Sequence, residues 1–255
     1  MSSLAKISYK SSAVQTPVSS KLLKTACSDC NLRELCLPVD LSSAEMARMD
    51  ELVTRKRAYQ RGTSLYRSGD KFHALYAIRA GFFKTQILHE DGHEQVTGFQ
   101  MAGEIIGMDA ISGDVHTCDA VALEDSEVCE IPFNRLEELS RELPSLQRHL
   151  HRILSREIVH DQGIMLLLGS MHAEERLATF LLNLSQRFAA RGRSPTSIQL
   201  RMTRQEIGSY IGLKLETVSR ALSHLQEAGV ISIHNRSLEI LSLTGLQACI
   251  GKRMR

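Results

Sequence analysis

Long hydrophobic runs are missing from this chain of 255 residues. The longest unbroken stretch of Ile, Leu, Met, Phe and Val is Ile164 to Leu168, far below the ~20 residues that a membrane-spanning helix requires, so no membrane segment and no membrane partner are expected. An apolar leader is missing as well. The first 28 residues hold no Asp, Glu or Arg and are rich in Ser and Lys, which reads as an N-terminal arm and not as a secretion or targeting signal. A cytoplasmic location follows, and there the six Cys are reduced thiols, metal ligands or redox groups, not a disulfide framework. Enzyme signatures are also lacking: no nucleophile with an evident base, no phosphate-cradling Gly loop, no zinc-protease His pair, and no CxxxCxxC spacing of radical-generating enzymes. The His groupings, His89 with His93 and His149, His151 and His160, read as solvated positions. A non-enzyme is expected.

What is present is unevenly distributed. The net charge is only +2, yet Met171 to Arg255 holds 12 Lys or Arg against 6 Asp or Glu, a net of +6, and leaves −4 for the remainder. A basic module attached to a mildly acidic one suits a polyphosphate partner for the first. Glycine is uneven too. Eight of the 16 lie between Gly62 and Gly113, separating short β-prone segments such as Leu75-Tyr76-Ala77-Ile78, Phe82 through Leu88, Val121, and Val128 to Ile131. Dense turns between short strands predict a small antiparallel sandwich or barrel over residues 38–142.

After Pro144 the period becomes helical. Leu146, Leu150, Leu154, Ile158, Asp161, Met165 and Leu168 form one stripe on a long helix over 143–170. Such a stripe packs either on its own β domain or against a two-fold copy of itself; the dimer helix is the reading favoured here, with Leu150, Leu154, Ile158, Asp161 and Met165 at its seam. In a symmetric pair two Asp161 carboxylates face each other, which is costly without partners. The alternative places Asp161 at the stripe edge, solvated or paired.

In the basic module, Thr203-Arg-Gln-Glu206 is a capping box that starts a helix. Gly212 ends it with a left-handed turn, and Val218, Leu222 and Leu225 carry a second helical period to Gly229. Two strands, Val230 to Ile233 and Leu238 to Ile240, flank His234-Asn235-Arg236-Ser237 as a wing. The expected module over 171–255 is a winged helix-turn-helix. Opposite the apolar face of the second helix stand Glu216, Thr217, Ser219, Arg220 and Ser223. Arg220 suits the O6 and N7 of guanine, Glu216 the N4 amine of cytosine, and Ser219 either kind of polar edge. A plain Glu216–Arg220 surface ion pair is the competing account.

Within the arm over 1–37, Cys27-x2-Cys30-x5-Cys36 brings three thiols into a short segment before Pro38. A structural zinc site or a cubane iron–sulfur cluster each takes four protein ligands. Cys118, Cys129 and Cys249 are the candidates for the fourth, and spacing alone does not choose between the first two.

The Cys27, Cys30, Cys36 arm, Leu75-Tyr76-Ala77-Ile78-Arg79-Ala80-Gly81, Val128-Cys129-Glu130-Ile131-Pro132-Phe133 and Glu216-Thr217-Val218-Ser219-Arg220 together resemble the FNR-type branch of the CRP/FNR superfamily of bacterial transcription regulators. The resemblance runs from about Cys27 to the wing. It implies an α+β chain: a β-roll sensor domain of the cyclic-nucleotide-binding, jelly-roll type, a long dimerisation helix and a C-terminal winged helix-turn-helix. It implies a homodimer on double-stranded DNA, at a palindromic operator with TTGAT-type half-sites read by Glu216, Ser219 and Arg220. It further implies an oxygen-labile 4Fe–4S cluster with Cys129 as fourth ligand, and contact with RNA polymerase through the loop at Asp125 or the loop Leu88 to His93. Gly103-Glu104 is present as in the cyclic-nucleotide branch, but the segment His116-Thr117-Cys118-Asp119-Ala120 has no Arg or Lys to meet a cyclic phosphate. No cyclic nucleotide is expected.

Overall fold

The computed structural model describes Cys30, Cys36 and residues 41–53, 55–89 and 92–251; Cys27, most of the N-terminal arm and the loop residues 90–91 lie outside them. A first helix, α1 (Ser43–Leu52), is started by a capping box between Ser42 and Glu45. Eight strands follow: β1 (Arg55–Tyr59), β2 (Ser64–Tyr66), β3 (Ala74–Ala80), β4 (Phe82–Leu88), β5 (Glu94–Met101), β6 (Ile105–Ile106), β7 (Asp119–Ala122) and β8 (Ser126–Pro132). They form two antiparallel four-stranded sheets, in the orders β1-β8-β3-β6 and β2-β7-β4-β5. Gly81 makes the turn from β3 to β4 at φ 95. A Cβ there would stand 2.0 Å from Ser126 Oγ, so no other residue fits without displacing β8.

Alternation along the strands decides which core each residue joins. Ile78, Phe83, Ala120 and Val128 point between the two sheets. Leu75, Ala77 and Ile131 point out of the first sheet, against α1 and two later helices, α2 (Phe133–Glu142) and α3 (Pro144–Ser170). Phe82, Val96, Phe99 and Met101 point out of the second sheet into a core shared with the C-terminal half. The β-roll expected from the glycine pattern is therefore present, with two helices, α1 and α2, inside the segment that read as β alone. Leu136, Leu139 and Leu143 are buried at helical spacing and carried that signal.

The long helix α3 begins with Pro144 in its first turn and runs for 27 residues. Its stripe divides. Leu146 is buried, and Leu150 packs partly on the β-roll core, whereas Leu154, Ile158, Met165 and Leu168 are 38%, 59%, 68% and 39% exposed. The first part of the stripe packs on its own β domain, and the rest stands exposed. Val159 and Leu166, off the stripe, are exposed as well. Asp161 is exposed. No helix among the described residues is long and apolar enough to cross a membrane.

The C-terminal half comprises α4 (Ala173–Ala189), β9 (Ser197–Gln199), α5 (Arg204–Ile211), α6 (Leu215–Glu227), β10 (Ile231–His234), β11 (Ser237–Ile240) and α7 (Leu243–Ala248). Phe180 of α4, Tyr210 of α5 and Phe99 of β5 form an aromatic triangle with centroids 5.2–6.0 Å apart. Each fully buried aromatic contributes on the order of 1.5–3 kcal/mol, and here the contribution ties one half of the chain to the other. Around it, Val96 N donates to Ser209 Oγ at 2.8 Å, Lys84 Nζ stands 2.9 Å from Glu206 Oε1, and Arg201 Nε lies 2.8 Å from Glu124 Oε2.

Candidate DNA interface and cysteine site

The helix-turn-helix is assembled from local signals. Thr203 Oγ1 accepts from Glu206 N at 3.2 Å, and Glu206 Oε2 accepts from Thr203 N at 2.7 Å, so α5 starts at the expected capping box. Gly212, at φ 66, ends it, and Leu213 N donates to Gly208 O at 2.8 Å to close the turn. A Cβ on Gly208 would meet Leu213 O at 2.5 Å; the turn backbone folds back on α5 this closely only over glycine. Val218, Leu222 and Leu225 are buried, and the opposite face of α6 presents exposed Glu216 and Arg220 with half-buried Thr217 and Ser219. Ser219 Oγ accepts from Arg204 Nη1 at 3.3 Å, so a side chain of the first helix reaches the second. Burial works to raise the Glu206 carboxyl, but the Thr203 amide and hydroxyl and the Lys84 ammonium prevail and hold it below its ordinary value. The wing is present: β10 and β11 pair from Ile231↔Ile240 to His234↔Ser237, and Asn235 turns between them at φ 55. Sequence reasoning missed its third strand, β9, which pairs Ile198 with Leu238.

At the other end of the chain the donors come from distant segments. Cys30 and Cys36 are half-buried. Cys129 lies on β8, beside Ala77 of β3, which in turn pairs with Ile105 of β6. Cys36, Cys129 and Ile105 pack on one core. Burial first, then negative charge on Cys30 and on Cys129, pushes the Cys36 thiol up to about 12. The Cys36 carbonyl oxygen lies 3.2 Å from His149 Nε2 on α3, and since a carbonyl only accepts, that nitrogen carries the proton. Burial holds the His149 ring below its ordinary value. Among the described residues no group of three His, Cys, Asp or Glu is arranged to hold a metal ion; Cys27 is not among them. The donors fit an iron–sulfur group in kind. They are soft sulfur donors, the kind that hold such a group.

The other two thiols lie elsewhere. Cys118 is buried between the sheets with Sγ 3.6 Å from Asp109 Oδ2, and burial followed by the Asp109 carboxylate pushes it up to about 12. Cys249 packs on the C-terminal core. The segment around Cys118 is closed on itself: His116 stacks on Tyr66 at 3.6 Å, its Nδ1 lies 3.3 Å from Asp109 Oδ1, and Thr117 N donates to Asp109 Oδ2 at 2.8 Å. Glu104, which read as a feature shared with the cyclic-nucleotide branch, faces the C-terminal half, its carboxylate on Arg187 and Arg191. Asp125 is exposed, with Oδ1 accepting from Arg61 N at 2.9 Å.

A β-roll joined by a long helix to a winged helix-turn-helix defines a sensor-type domain coupled to a DNA-binding one. In agreement, a cyclic nucleotide-binding domain family matches residues 56–142 and a Crp-like helix-turn-helix domain family matches residues 175–249. The chain is 44% identical over 225 residues to the fumarate and nitrate reduction regulatory protein of Vibrio cholerae serotype O1, covering 88% of this chain and 90% of that one. It is 46% identical over 228 residues to the transcriptional activator protein anr of Pseudomonas aeruginosa, covering 89% and 93%. The structure of FixK2 from Bradyrhizobium japonicum superposes with a TM-score of 0.73 at 30% identity, over 80% of this chain and 100% of that one. The chain belongs to the FNR-type branch of the CRP/FNR superfamily, and it is a DNA-binding transcription regulator.

Proposed function

We propose that this regulator responds to oxygen through a 4Fe–4S cluster held by Cys27, Cys30, Cys36 and Cys129, forms a homodimer in low oxygen and binds palindromic operators of the TTGAT type to regulate anaerobic genes. The observation that supports this reading is the packing of Cys36 and Cys129, from segments far apart in the chain, on one core. When bound, the cluster supplies an oxygen-labile group with negatively charged sulfurs; the remaining steps belong to the chain. His149 ties the Cys36 backbone to α3, so ordering of the arm bears directly on that helix. A second copy covers the exposed Leu154, Ile158 and Met165 of α3, opposed by the two Asp161 carboxylates. Pairing sets two α6 helices ~34 Å apart, one DNA turn. Arg220 then bonds guanine bidentately, Glu216 accepts from cytosine, and Thr217 and Ser219 complete the polar face.

The same reading divides the chain into arm 1–37, β-roll 38–142, dimer helix 143–170 and DNA-binding domain 171–255. Asp125 and the loop from Leu88 to His93, exposed at Leu88, are the surfaces offered to RNA polymerase. Cyclic nucleotide is not the effector: the Asp109 carboxylate engaged with His116 and Thr117 would repel a cyclic phosphate. The protein acts without catalysis, in the cytoplasm. The test is iron and acid-labile sulfide per chain after purification without oxygen, before and after air. About four of each per chain, lost in air, is expected; zinc, or no metal, moves sensing to thiol chemistry. For Asp161, an Asp161→Ala chain is expected to stay dimeric in air by light scattering, and an unchanged monomer fraction removes Asp161 from the switch.

A further inference from the structure

Besides its exposed stripe, α3 has a second face that meets the DNA-binding half. Ile164 and Leu167 pack on the core shared with that half, and His160, four residues before Ile164, continues their row at helical spacing. The row stands about a third of a turn away from Leu154, Ile158 and Met165, so a helix paired through those residues leaves it to the chain's own contacts. His160 reads from the sequence as a solvated position. The structure half-buries it instead and sets its Nε2 3.0 Å from the hydroxyl of Tyr210, the 6% exposed tyrosine of α5. About two turns further along α3, Arg176 of α4 bridges the C-terminal ends of the same two helices. Its Nη2 donates to Leu168 O at 2.8 Å and its Nε to Met171 O at 2.9 Å, while its Nη1 donates to Ile211 O at 3.2 Å and Gly212 O at 3.3 Å. A cation on the last carbonyls of two helices also meets their negative dipole ends.

Arg176 holds the carbonyl end of α5, about which the helix could still swing. The Tyr210 hydroxyl, held by His160 from a different height on α3, removes that freedom. On its other side α5 leans on β5, where Val96 N donates to Ser209 Oγ; the attachments to α3 are what refer it to the axis of a helix pair. The recognition helix α6 follows α5, because the turn between them is closed by Leu213 N on Gly208 O. We propose that His160 is a positioning residue for operator recognition: acting through the Tyr210 hydroxyl, it fixes the angle of the helix-turn-helix on α3 and with it the half-site spacing that two recognition helices accept. One base pair more between half-sites moves them apart by ~3.4 Å and rotates them by ~34°. Helices held firmly to a paired α3 resist that change, and helices free to swing absorb it. The inference rests on the dimer and operator reading above.

The experiment measures binding of the iron-loaded full chain, without oxygen, to duplexes carrying two inverted TTGAT half-sites whose spacer is varied one base pair at a time. Dimer content is followed by light scattering. The wild type is expected to prefer one spacing over its neighbours. Tyr210→Phe keeps the ring of the aromatic triangle and loses only the hydroxyl; this variant and His160→Leu are expected to stay dimeric and to lower the spacing preference about fivefold, within the range of one hydrogen bond. His160→Gln offers an amide in place of the ring nitrogen and retains the preference. The double variant, Tyr210→Phe with His160→Leu, is no worse than either change alone, as befits two ends of one bond. A merely structural role would weaken binding at every spacing alike. Such uniform weakening, a Tyr210→Phe chain with the wild-type preference, loss of the preference in His160→Gln, additive losses in the double variant, or a wild type indifferent to spacing overturns this inference alone. An iron-loaded wild type that is not dimeric, or that binds TTGAT half-sites no better than a scrambled duplex, overturns the dimer and operator reading and this inference together.

Discussion

At the DNA-binding end, Glu216, Thr217, Ser219 and Arg220 ride on one helix, α6, whose inner face is locked by Val218, Leu222 and Leu225. At the other end, Cys36 and Cys129 come from segments far apart in the chain and share one core only because strands β3, β6 and β8 and helices α1, α2 and α3 pack there together. The first arrangement survives the loss of any one functional side chain, because the helix is built by residues facing the other way. The second has its proposed ligand atoms within the packing itself. Changes at the two ends should therefore fail differently: graded loss of selectivity at one, loss of the whole site at the other.

The largest effect is expected from Cys36→Ser or Cys129→Ser. Either should reduce iron from about four per chain to near none, since a cubane cluster takes four thiolates, while the circular dichroism spectrum stays that of a folded chain. Iron retained in either variant would mean that the sensor end tolerates loss as well as the DNA end does. Next is Phe99→Ala, which opens the aromatic triangle and should cost ~3–5 kcal/mol in denaturant unfolding. Both halves should lose that stability in one transition; two separate transitions with only one shifted would make them independent units. For Arg220→Ala the expected loss is ~1–3 kcal/mol, concentrated at one operator position in a binding series over variant half-sites. Uniform weakening on every sequence would assign Arg220 to a phosphate.

The smallest effect concerns the cap of α5. Thr203→Ala should cost about 1 kcal/mol in thermal unfolding. The folded Glu206 carboxyl is held below its ordinary value of 4.5, so its contribution is full above that value and fades as pH falls through the lower, folded one. Titrating stability downward from pH 6 should show the wild type losing its advantage over Glu206→Gln in that acid window. An advantage that persisted at the acid limit would separate the cap from the charge.

What the sequence made legible follows the same division. The capping box at Thr203, the turn at Gly212, the wing and the split of α6 into inner and outer faces all depend on residues within about four positions of one another, where helical and strand periods operate. The β-roll was legible through its glycine turns, though not through α1 and α2, whose short apolar periods stand at either end of the strand-rich segment. The stripe on α3 gave one face, and only the packed structure separates Leu146 and Leu150, against the β-roll, from Leu154, Ile158 and Met165, in the open. That Glu104 faces Arg187 and Arg191 was not legible, because nothing local reveals that they lie across from it. The shared core of Cys129 and Cys36 is of the same kind, set by packing between distant segments.

The outer face of β4 and β5 has a consequence for how the chain is made. Phe99 leaves the ribosome about 80 residues before Phe180, and a little over a hundred before Tyr210. At roughly 5–20 residues per second, the apolar side of a finished hairpin waits on the order of several seconds for the helices that cover it. During that interval the nascent β-roll carries an open hydrophobic surface, and it is then, before the operator-binding half exists, that the chain is most exposed to misassembly with its neighbours on the same message.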